Sequence, residues 1–178
     1  MPAAAPAPSP LHLASPEATA ALAARLAPHL RGGDTLLLEG PIGAGKTHFA
    51  RHLIGALQRA AGAPAEEVPS PSYTLVQTYR AGPLEIWHAD LYRLASADEA
   101  LELGLDEAFG TALCLVEWPD RLGPAAPAEA LTLRFDAGAA GAAGAAGDDA
   151  AGRWLSALPS GPRAAALAAV LAGADAAA

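Results

Sequence analysis

Apolar residues along this chain follow two spacings, and each spacing predicts one kind of secondary structure. Unbroken apolar runs or apolar–polar alternation are typical of strands, which we expect at residues 35–38, 73–79, 84–88, 112–117, 131–135 and 153–158. Apolar residues at every third or fourth position are typical of helices, which we expect at residues 16–30, 50–57, 96–103, 105–109 and 162–171. The two strands that flank the turn at 80–83 predict an antiparallel hairpin.

The length of 178 residues is sufficient for one domain with a buried core, and we expect that domain to span residues 15–171. Residues 1–14 are rich in alanine and proline and predict a disordered tail. Residues 137–152 are rich in glycine and alanine and predict a flexible insert inside the domain. Residues 172–178 predict a frayed end.

Composition and charge limit the classes of function. The formal net charge of −8 disfavours an extended nucleic-acid contact, so contact with RNA is expected only through a partner. The one cysteine, Cys114, rules out an intrachain disulfide, and its apolar neighbours predict a small core residue. We see neither a signal peptide nor a stretch long and apolar enough to span a membrane, and we therefore expect a cytoplasmic protein.

One segment between a predicted strand and a predicted helix matches the Walker A pattern G-x-x-x-x-G-K-[ST], and it reads Gly40-Pro41-Ile42-Gly43-Ala44-Gly45-Lys46-Thr47. Its glycines allow backbone N–H groups to surround phosphates, and the helix that follows adds the positive end of its dipole. Lys46 is expected to reach the outer phosphates and Thr47 to bind Mg²⁺. The alternative, a chance glycine turn, is disfavoured by the flanking strand and helix.

This context predicts an α/β protein with a P-loop NTPase-like, three-layer fold. Its central sheet is expected to be mainly parallel, with an antiparallel hairpin and antiparallel strands at the edges. The strand at 112–117 ends in Glu117, as in a Walker B strand that delivers a carboxylate to Mg²⁺ directly or through water. Trp118 follows Glu117. It could cover the site or stack on a partner, and its structural alternative is hydrophobic packing.

Polar residues near the ends of other predicted strands are further candidates. The proline-rich loop at 68–74 carries the hydroxyls of Ser70, Ser72 and Thr74, and it is either a γ-phosphate-sensing switch or an ordinary proline loop. Asp90 could orient a water, act as a base or hold Mg²⁺ through water; its structural alternative is to cap the turn or pair with a nearby arginine.

For two more candidate residues, the sequence favours a structural role. His88 is more consistent with a packed histidine than with a catalytic one. Thr19 could contact a nucleotide base, although a solvated helix position is the reading that the sequence favours.

Four stretches, in this order, resemble the TsaE (YjeE) family, the small P-loop ATPase of bacterial tRNA threonylcarbamoyladenosine synthesis. The stretches are Leu38 to Thr47, Pro69-Ser70-Pro71-Ser72-Tyr73-Thr74-Leu75-Val76, His88-Ala89-Asp90-Leu91-Tyr92-Arg93-Leu94 and Leu115-Val116-Glu117-Trp118-Pro119-Asp120. The third and fourth are far more specific than Walker A. The chain departs from the family pattern in reading Ser72-Tyr73 for Thr-Phe and in placing Ala89 where an aromatic residue is usual.

The resemblance implies a role for each candidate. The nucleotide-binding residues would be Thr19, Gly43, Ala44, Gly45, Lys46, Thr47, His48 and Arg153. The catalytic residues would be Lys46, Asp90 and Glu117, and the Mg²⁺ ligands Thr47 and Glu117. The switch and partner residues would be Ser70, Ser72, Thr74 and Trp118.

The resemblance also implies ATP and Mg²⁺ as cofactors and a TsaD–TsaB complex as partner. The chain would be an ATPase, slow alone and stimulated by the partner, that contacts tRNA only indirectly and leaves carbamoyl transfer to the partner. A small-molecule kinase is the alternative, against which there is no arginine-rich lid segment between Arg93 and Glu117. A GTPase-like switch is a third reading, but no Asn-Lys-x-Asp stretch is present. Base specificity apart from the resemblance, oligomeric state and the division of roles between Asp90 and Glu117 stay open.

Overall fold

The computed structural model describes residues 9–137 and 152–173, which form one seven-stranded sheet with helices on both faces. The strands are β1 (Leu11–Leu13), β2 (Thr35–Glu39), β3 (Val76–Ala81), β4 (Leu84–Asp90), β5 (Leu113–Glu117), β6 (Ala130–Ala137) and β7 (Arg153–Ser160). The α-helices are α1 (Pro16–Leu26), α2 (Lys46–Ala60), α3 (Ala97–Glu102), α4 (Leu105–Phe109) and α5 (Pro162–Leu171), and 3₁₀ turns cover Ala27–His29 and Pro119–Ala125.

The strand order across the sheet is β1-β7-β6-β2-β5-β4-β3. The four central strands β6, β2, β5 and β4 are parallel to one another. The hairpin of β3 with β4 is antiparallel, and so are β7 and β1 at the other side. The predicted fold class, a mainly parallel centre with antiparallel strands at the edges, is confirmed.

Alternation of side chains along the central strands explains the three layers. Leu36 and Leu38 of β2 pack into one core with α1, α2 and α5, whereas Leu37 packs into a second core with α3 and α4. The same alternation separates Leu115 from Cys114 on β5. Strands buried on both faces read as unbroken apolar runs, because neither face meets water.

Cys114 is a fully buried core residue, as the sequence predicts. Burial raises the pKa of its thiol to about 12, so it stays protonated and unreactive near neutral pH. Among residues 9–137 and 152–173, no helix combines the length and the apolar character that crossing a membrane requires.

Some predicted boundaries differ from the structure. Residues 1–14 were expected to be disordered, but Leu11–Leu13 form β1, which pairs with the edge of β7 and buries Leu13 against the main core. The first strand of the hairpin begins at Val76 rather than at residue 73, because Leu75 has a φ of 64°, which interrupts extended backbone. The expected insert at 137–152 and the frayed end at 172–178 lie mostly outside the described residues.

A partly buried ion pair ties the C-terminal helix α5 to the residue that precedes β2. Arg163 donates to both carboxylate oxygens of Asp34, at 2.8 and 2.7 Å, and the backbone N–H of Arg31 donates to the same group at 2.9 Å. The hydrogen bonds to Asp34 raise the pKa of Arg163. The Asp34 side chain is only 2% exposed, so these donors take the place of water around its carboxylate oxygens.

We expect Asp34→Ala to lower the free energy of unfolding by about 2–3 kcal/mol, because it leaves Arg163 without its carboxylate partner. Urea denaturation of the variant and the wild type measures this difference. The control is Arg80→Ala, which breaks an ion pair between Arg80 and Glu85 whose side chains are 70% and 42% exposed, and which should cost less than about 1 kcal/mol. Equal losses in the two variants would contradict the assignment.

Candidate functional site

The loop between β2 and α2 has a backbone that only glycine fits at two positions. Gly40 has a φ of 138°, and a Cβ there would lie 2.4 Å from the carbonyl oxygen of Phe135. Gly45 has a φ of 106° and is the N-cap of α2. Residues that carry a side chain rarely adopt such φ values. These glycines therefore allow the sharp turn that brings the start of α2 beside the end of β2.

Lys46, the single lysine in the sequence, folds back over this loop. Its Nζ donates to the carbonyl oxygens of Gly40 and Pro41, at 2.6 and 2.8 Å, and lies 4.1 Å from the centre of the Trp118 ring. Burial lowers the pKa of Lys46, against the attraction of Glu117 and Asp90. The ammonium group must exchange these carbonyl contacts if it is to hold a phosphate.

Glu117 ends β5 beside the first turn of α2. The parallel register aligns Glu117 with Leu38 of β2, so the carboxylate emerges next to the loop. The Thr47 hydroxyl donates towards both of its oxygens, Oε1 at 2.8 Å and Oε2 at 3.0 Å. Trp118 follows with a φ of 59°, a left-handed conformation that is unusual for a bulky residue and places the ring over Lys46.

Asp90 ends β4 directly beside Glu117 in the register of β4 with β5. Its Oδ2 accepts hydrogen bonds from Ser70 Oγ at 3.2 Å and Ser72 Oγ at 2.8 Å, and its Oδ1 accepts one from the backbone N–H of Tyr92 at 3.1 Å. Asp90 therefore caps the turn after β4 and also anchors the hydroxyl-bearing loop.

A cavity of about 750 Å³ opens above the β2–α2 loop, a volume within the usual range for small-molecule sites. It is lined by Pro16, Ile42, Gly43, Ala44, Gly45, Lys46, Thr47, His48, Ser70, Ser72, Tyr73, Tyr92, Arg93, Glu117, Trp118 and Arg153. The chain therefore brings parts of the loop, α2, β5 and β7 to one concave surface.

Most of the predicted site residues lie on this cavity. The exceptions are Thr19, Thr74 and Asp90. Thr19 is 2% exposed on α1, so the solvated position favoured from sequence is wrong. Thr74 is exposed on the surface. Asp90 is buried behind Ser70 and Ser72, which contact it and line the cavity.

Sequence reasoning missed several contributors to the site. His88 is fully buried, as the packed histidine favoured by the sequence should be, but its Nε2 also lies 2.9 Å from Oε1 of Glu117. Tyr92 packs against Trp118 with ring centroids 4.8 Å apart and ring planes tilted by 49°, and Arg93 lies over the ring of Tyr73 at 5.1 Å. The signal that could have found His88 is its position two residues before Asp90, since alternate residues of a strand share one face.

The pair formed by Thr47 and Glu117 has the chemistry of a magnesium site. Mg²⁺ prefers hard oxygen ligands and usually takes one or two from protein, with water and phosphate oxygens completing an octahedron. Two neighbouring ligands on such an ion lie about 2.9 Å apart, given metal–oxygen distances of about 2.0–2.1 Å. The hydroxyl and carboxylate oxygens lie 2.8 and 3.0 Å apart, so they fit two adjacent positions.

Comparison with known families agrees with this geometry. The family model described as threonylcarbamoyl adenosine biosynthesis protein TsaE matches residues 13–142. These residues include the Walker A segment at 40–47 (the P-loop), the ends of β4 and β5, and the hydroxyl-bearing loop at 68–74, here called the serine loop. The chain belongs to the TsaE family.

Curated members of the TsaE family share this part of the sequence. A Rickettsia conorii protein named tRNA threonylcarbamoyladenosine biosynthesis protein TsaE is 43% identical over 108 residues, 61% of this chain and 59% of that protein. A Rickettsia felis protein of the same name is 42% identical over 62% of each chain. The chain thus spans about three fifths of the length of these relatives. A Bacillus subtilis protein of that name is 39% identical over 67% of this chain and 72% of that protein.

A solved structure shows the same fold over nearly the whole chain. The crystal structure of Bacillus subtilis YdiB superposes with a TM-score of 0.71 and 32% sequence identity, covering 94% of this chain and 96% of that one. The P-loop NTPase-like fold predicted from the Walker A context is therefore confirmed, and it is that of the TsaE family.

The contacts of Asp90 predict a mobility change. We expect Asp90→Ala to release the serine loop, because Ser70 and Ser72 lose their shared charged acceptor, and the amide of Leu75, which donates to Pro71 at 2.7 Å, should exchange at least roughly tenfold faster. Hydrogen–deuterium exchange of peptides covering residues 69–76 measures this rate. Asp120→Ala, at a site 70% exposed, should leave it unchanged, and unchanged exchange in Asp90→Ala as well would disprove the anchoring role.

Proposed function

We propose that the chain is a Mg²⁺-dependent ATPase of the machinery that makes threonylcarbamoyladenosine in tRNA, at the adenosine 3′ to the anticodon. The observation that carries this proposal is the Thr47–Glu117 pair beside a P-loop on a nucleotide-sized cavity. The names of the related proteins support the pathway.

The phosphates of ATP would lie against the backbone of Gly43 to Thr47. The first turn of α2 offers unpaired N–H groups and the positive end of the helix dipole to that position. Lys46 would leave the carbonyls of its own loop to contact the outer phosphates, and Arg153 would approach from β7, where its guanidinium lies against Gly45. The positive charges concentrate where the phosphate charge would lie.

Thr47 and Glu117 would hold Mg²⁺. When bound, the ion would supply charge neutralisation on the β- and γ-phosphate oxygens. Glu117 is held in place by backbone on both sides: Trp118 N–H donates to Leu38 and Leu91 N–H donates to the Glu117 carbonyl. The ligand side chain therefore projects from a rigid strand end.

Asp90 would position or deprotonate the attacking water. It is buried, ionisable and next to the metal-binding carboxylate, but its oxygens are engaged by Ser70, Ser72 and Tyr92. A serine hydroxyl that turns away from Asp90 frees an acceptor for water. This links the serine loop to hydrolysis and fits its proposed role as a switch.

The partner would cover the mouth of the cavity. Of the four large hydrophobic side chains exposed among the described residues, Ile42, Tyr73 and Tyr92 all line the cavity, with exposures of 74%, 88% and 47%. Exposed aromatic residues around a polar site mark contact surfaces on many proteins. We propose that this rim, formed by Ile42, Tyr73 and Tyr92, binds the TsaD–TsaB complex. The complex would contact tRNA, and this chain would not contact it directly.

The first test is ATP hydrolysis with Mg²⁺, with and without purified TsaD–TsaB. Lys46→Ala should lower kcat by roughly 10²–10³-fold, because it removes a fixed positive charge from the phosphate site. Arg80→Ala, which removes one charge from the exposed hairpin, should retain wild-type rates. Phosphate transfer to a small metabolite, with no response to the partner complex, would contradict the proposal and favour a kinase.

The rim predicts a partner-binding defect. Tyr73→Ser should weaken binding to TsaD–TsaB at least roughly tenfold, because an exposed aromatic at the centre of an interface contributes strongly to its affinity. Biolayer interferometry with the immobilised complex measures the dissociation constant. Leu101→Ser, which also replaces a large exposed hydrophobic side chain but lies on α3 away from the cavity, should have no effect. A similar loss of affinity in both variants would contradict the assignment of this surface.

A further inference from the structure

The carboxylate of Glu117 is held from two sides by different kinds of donor. On the outer side Thr47 Oγ1 lies within hydrogen-bond distance of both oxygens, at 2.8 and 3.0 Å. On the inner side Nε2 of His88 contacts Oε1 alone, at 2.9 Å. Since a carboxylate only accepts hydrogen bonds, the His88 nitrogen that faces it carries the hydrogen.

His88 reaches this position through the pairing of two strands. On β4 it lies beside Leu115 of β5, and two residues further along Asp90 lies beside Glu117. Alternate residues of a strand share one face, so His88 and both carboxylates project towards α2. The imidazole is completely buried, and the direction of Nε2 is therefore set by the packing around it.

The second ring nitrogen of His88, Nδ1, makes no contact within the described part of the chain that would explain a histidine at this position. Among residues 9–137 and 152–173, Nδ1 of His88 has no hydrogen-bond partner. A buried polar atom without a partner costs free energy, and a packing role alone would be better filled by an apolar side chain. The contact between Nε2 and Glu117 is what accounts for an imidazole at position 88.

We propose that His88 is a positioning residue that fixes the orientation of the Glu117 carboxylate for a divalent cation. This inference rests on the Mg²⁺-dependent function proposed above. The Thr47 hydroxyl lies almost equally close to both oxygens of Glu117, so it does not distinguish them. His88 engages Oε1 only, and leaves Oε2 as the oxygen that faces the site.

The contribution of His88 becomes decisive when a cation binds. As a ligand of the ion, Thr47 would bind through a lone pair of its hydroxyl, and its hydrogen would no longer position Glu117. Glu117 would keep the His88 donor, because the imidazole is completely buried and would not contact the ligand. Residues of this kind, which orient a metal ligand without touching the metal, typically change metal affinity 10–100-fold when they are replaced.

Two substitutions separate this role from packing. In His88→Gln the side-chain amide can place an N–H near the position of the imidazole Nε2, whereas in His88→Asn the shorter amide reaches only the position of Nδ1. We expect His88→Asn to weaken divalent-cation binding roughly 10–100-fold, and His88→Gln to stay within a few-fold of the wild type. Both variants should bind ATP in EDTA as the wild type does.

The readout is Mn²⁺ binding, followed by electron paramagnetic resonance in the presence of a non-hydrolysable ATP analogue. Equal cation affinity in the wild type and both variants overturns the inference. So does an equal loss of cation affinity in both variants that parallels their loss of unfolding free energy. Mg²⁺-dependent ATP hydrolysis by the wild type is measured separately. Its absence defeats the proposed function itself, whereas its presence together with unchanged Mn²⁺ binding in the variants defeats only the role of His88.

A measurement on the unmodified protein covers the case in which neither variant folds. Ring ¹⁵N chemical shifts distinguish a nitrogen that carries hydrogen from one that does not. The buried ring should show a slowly exchanging Nε2–H that persists when Mg²⁺ and the ATP analogue are added. A buried histidine that carries its hydrogen on Nδ1, with Nε2 bare, would overturn the assignment.

Discussion

The parallel register of β4 with β5 is the constraint on which the site depends. It aligns Asp90 with Glu117 at the ends of two neighbouring strands, and the chain continues the pairing beyond them through Leu91 N–H to the Glu117 carbonyl. A shift of one residue would turn one carboxylate to the opposite face of the sheet, away from α2. The apolar residues that bury both faces of these strands thus also fix where the acids lie.

Two strained backbone positions adjoin the two carboxylates. Leu75 and Trp118 are the only residues other than glycine with positive φ in the described part of the chain. Leu75 accepts a hydrogen bond from the backbone N–H of Asp90 at 2.9 Å, and Trp118 directly follows Glu117. Such conformations cost about 1–3 kcal/mol each and persist where the surroundings impose them. Here the Leu75 conformation joins the end of the serine loop to Asp90 by a backbone hydrogen bond. The Trp118 conformation places its aromatic ring over Lys46.

Local patterns predicted the parts of the structure that local chemistry determines. The Walker A segment, the buried strand that ends in Glu117 and the helix at 162–171 depend on neighbouring residues, and the fold class followed from them. The predictions failed or were incomplete where distant segments meet. The pairing of β1 with β7, the burial of Thr19 and the contact of His88 with Glu117 arise from packing between elements. A histidine inside a strand reads as a packing residue until its neighbour in the sheet is known.

The serine loop joins the chemistry of the site to its surface. Ser72 donates to the buried Asp90, and the next residue, Tyr73, is 88% exposed at the cavity mouth. Ser72 and Tyr73 are adjacent in the sequence, so neither can be displaced far without moving the other. A partner that reorders Tyr73 therefore changes the hydrogen bonds of Asp90, and a ligand that takes the place of Ser72 at Asp90 changes the rim. Coupling of this kind is reciprocal, since each event shifts the same loop equilibrium. In the proposed function, this loop would be a physical route by which partner binding and hydrolysis influence each other.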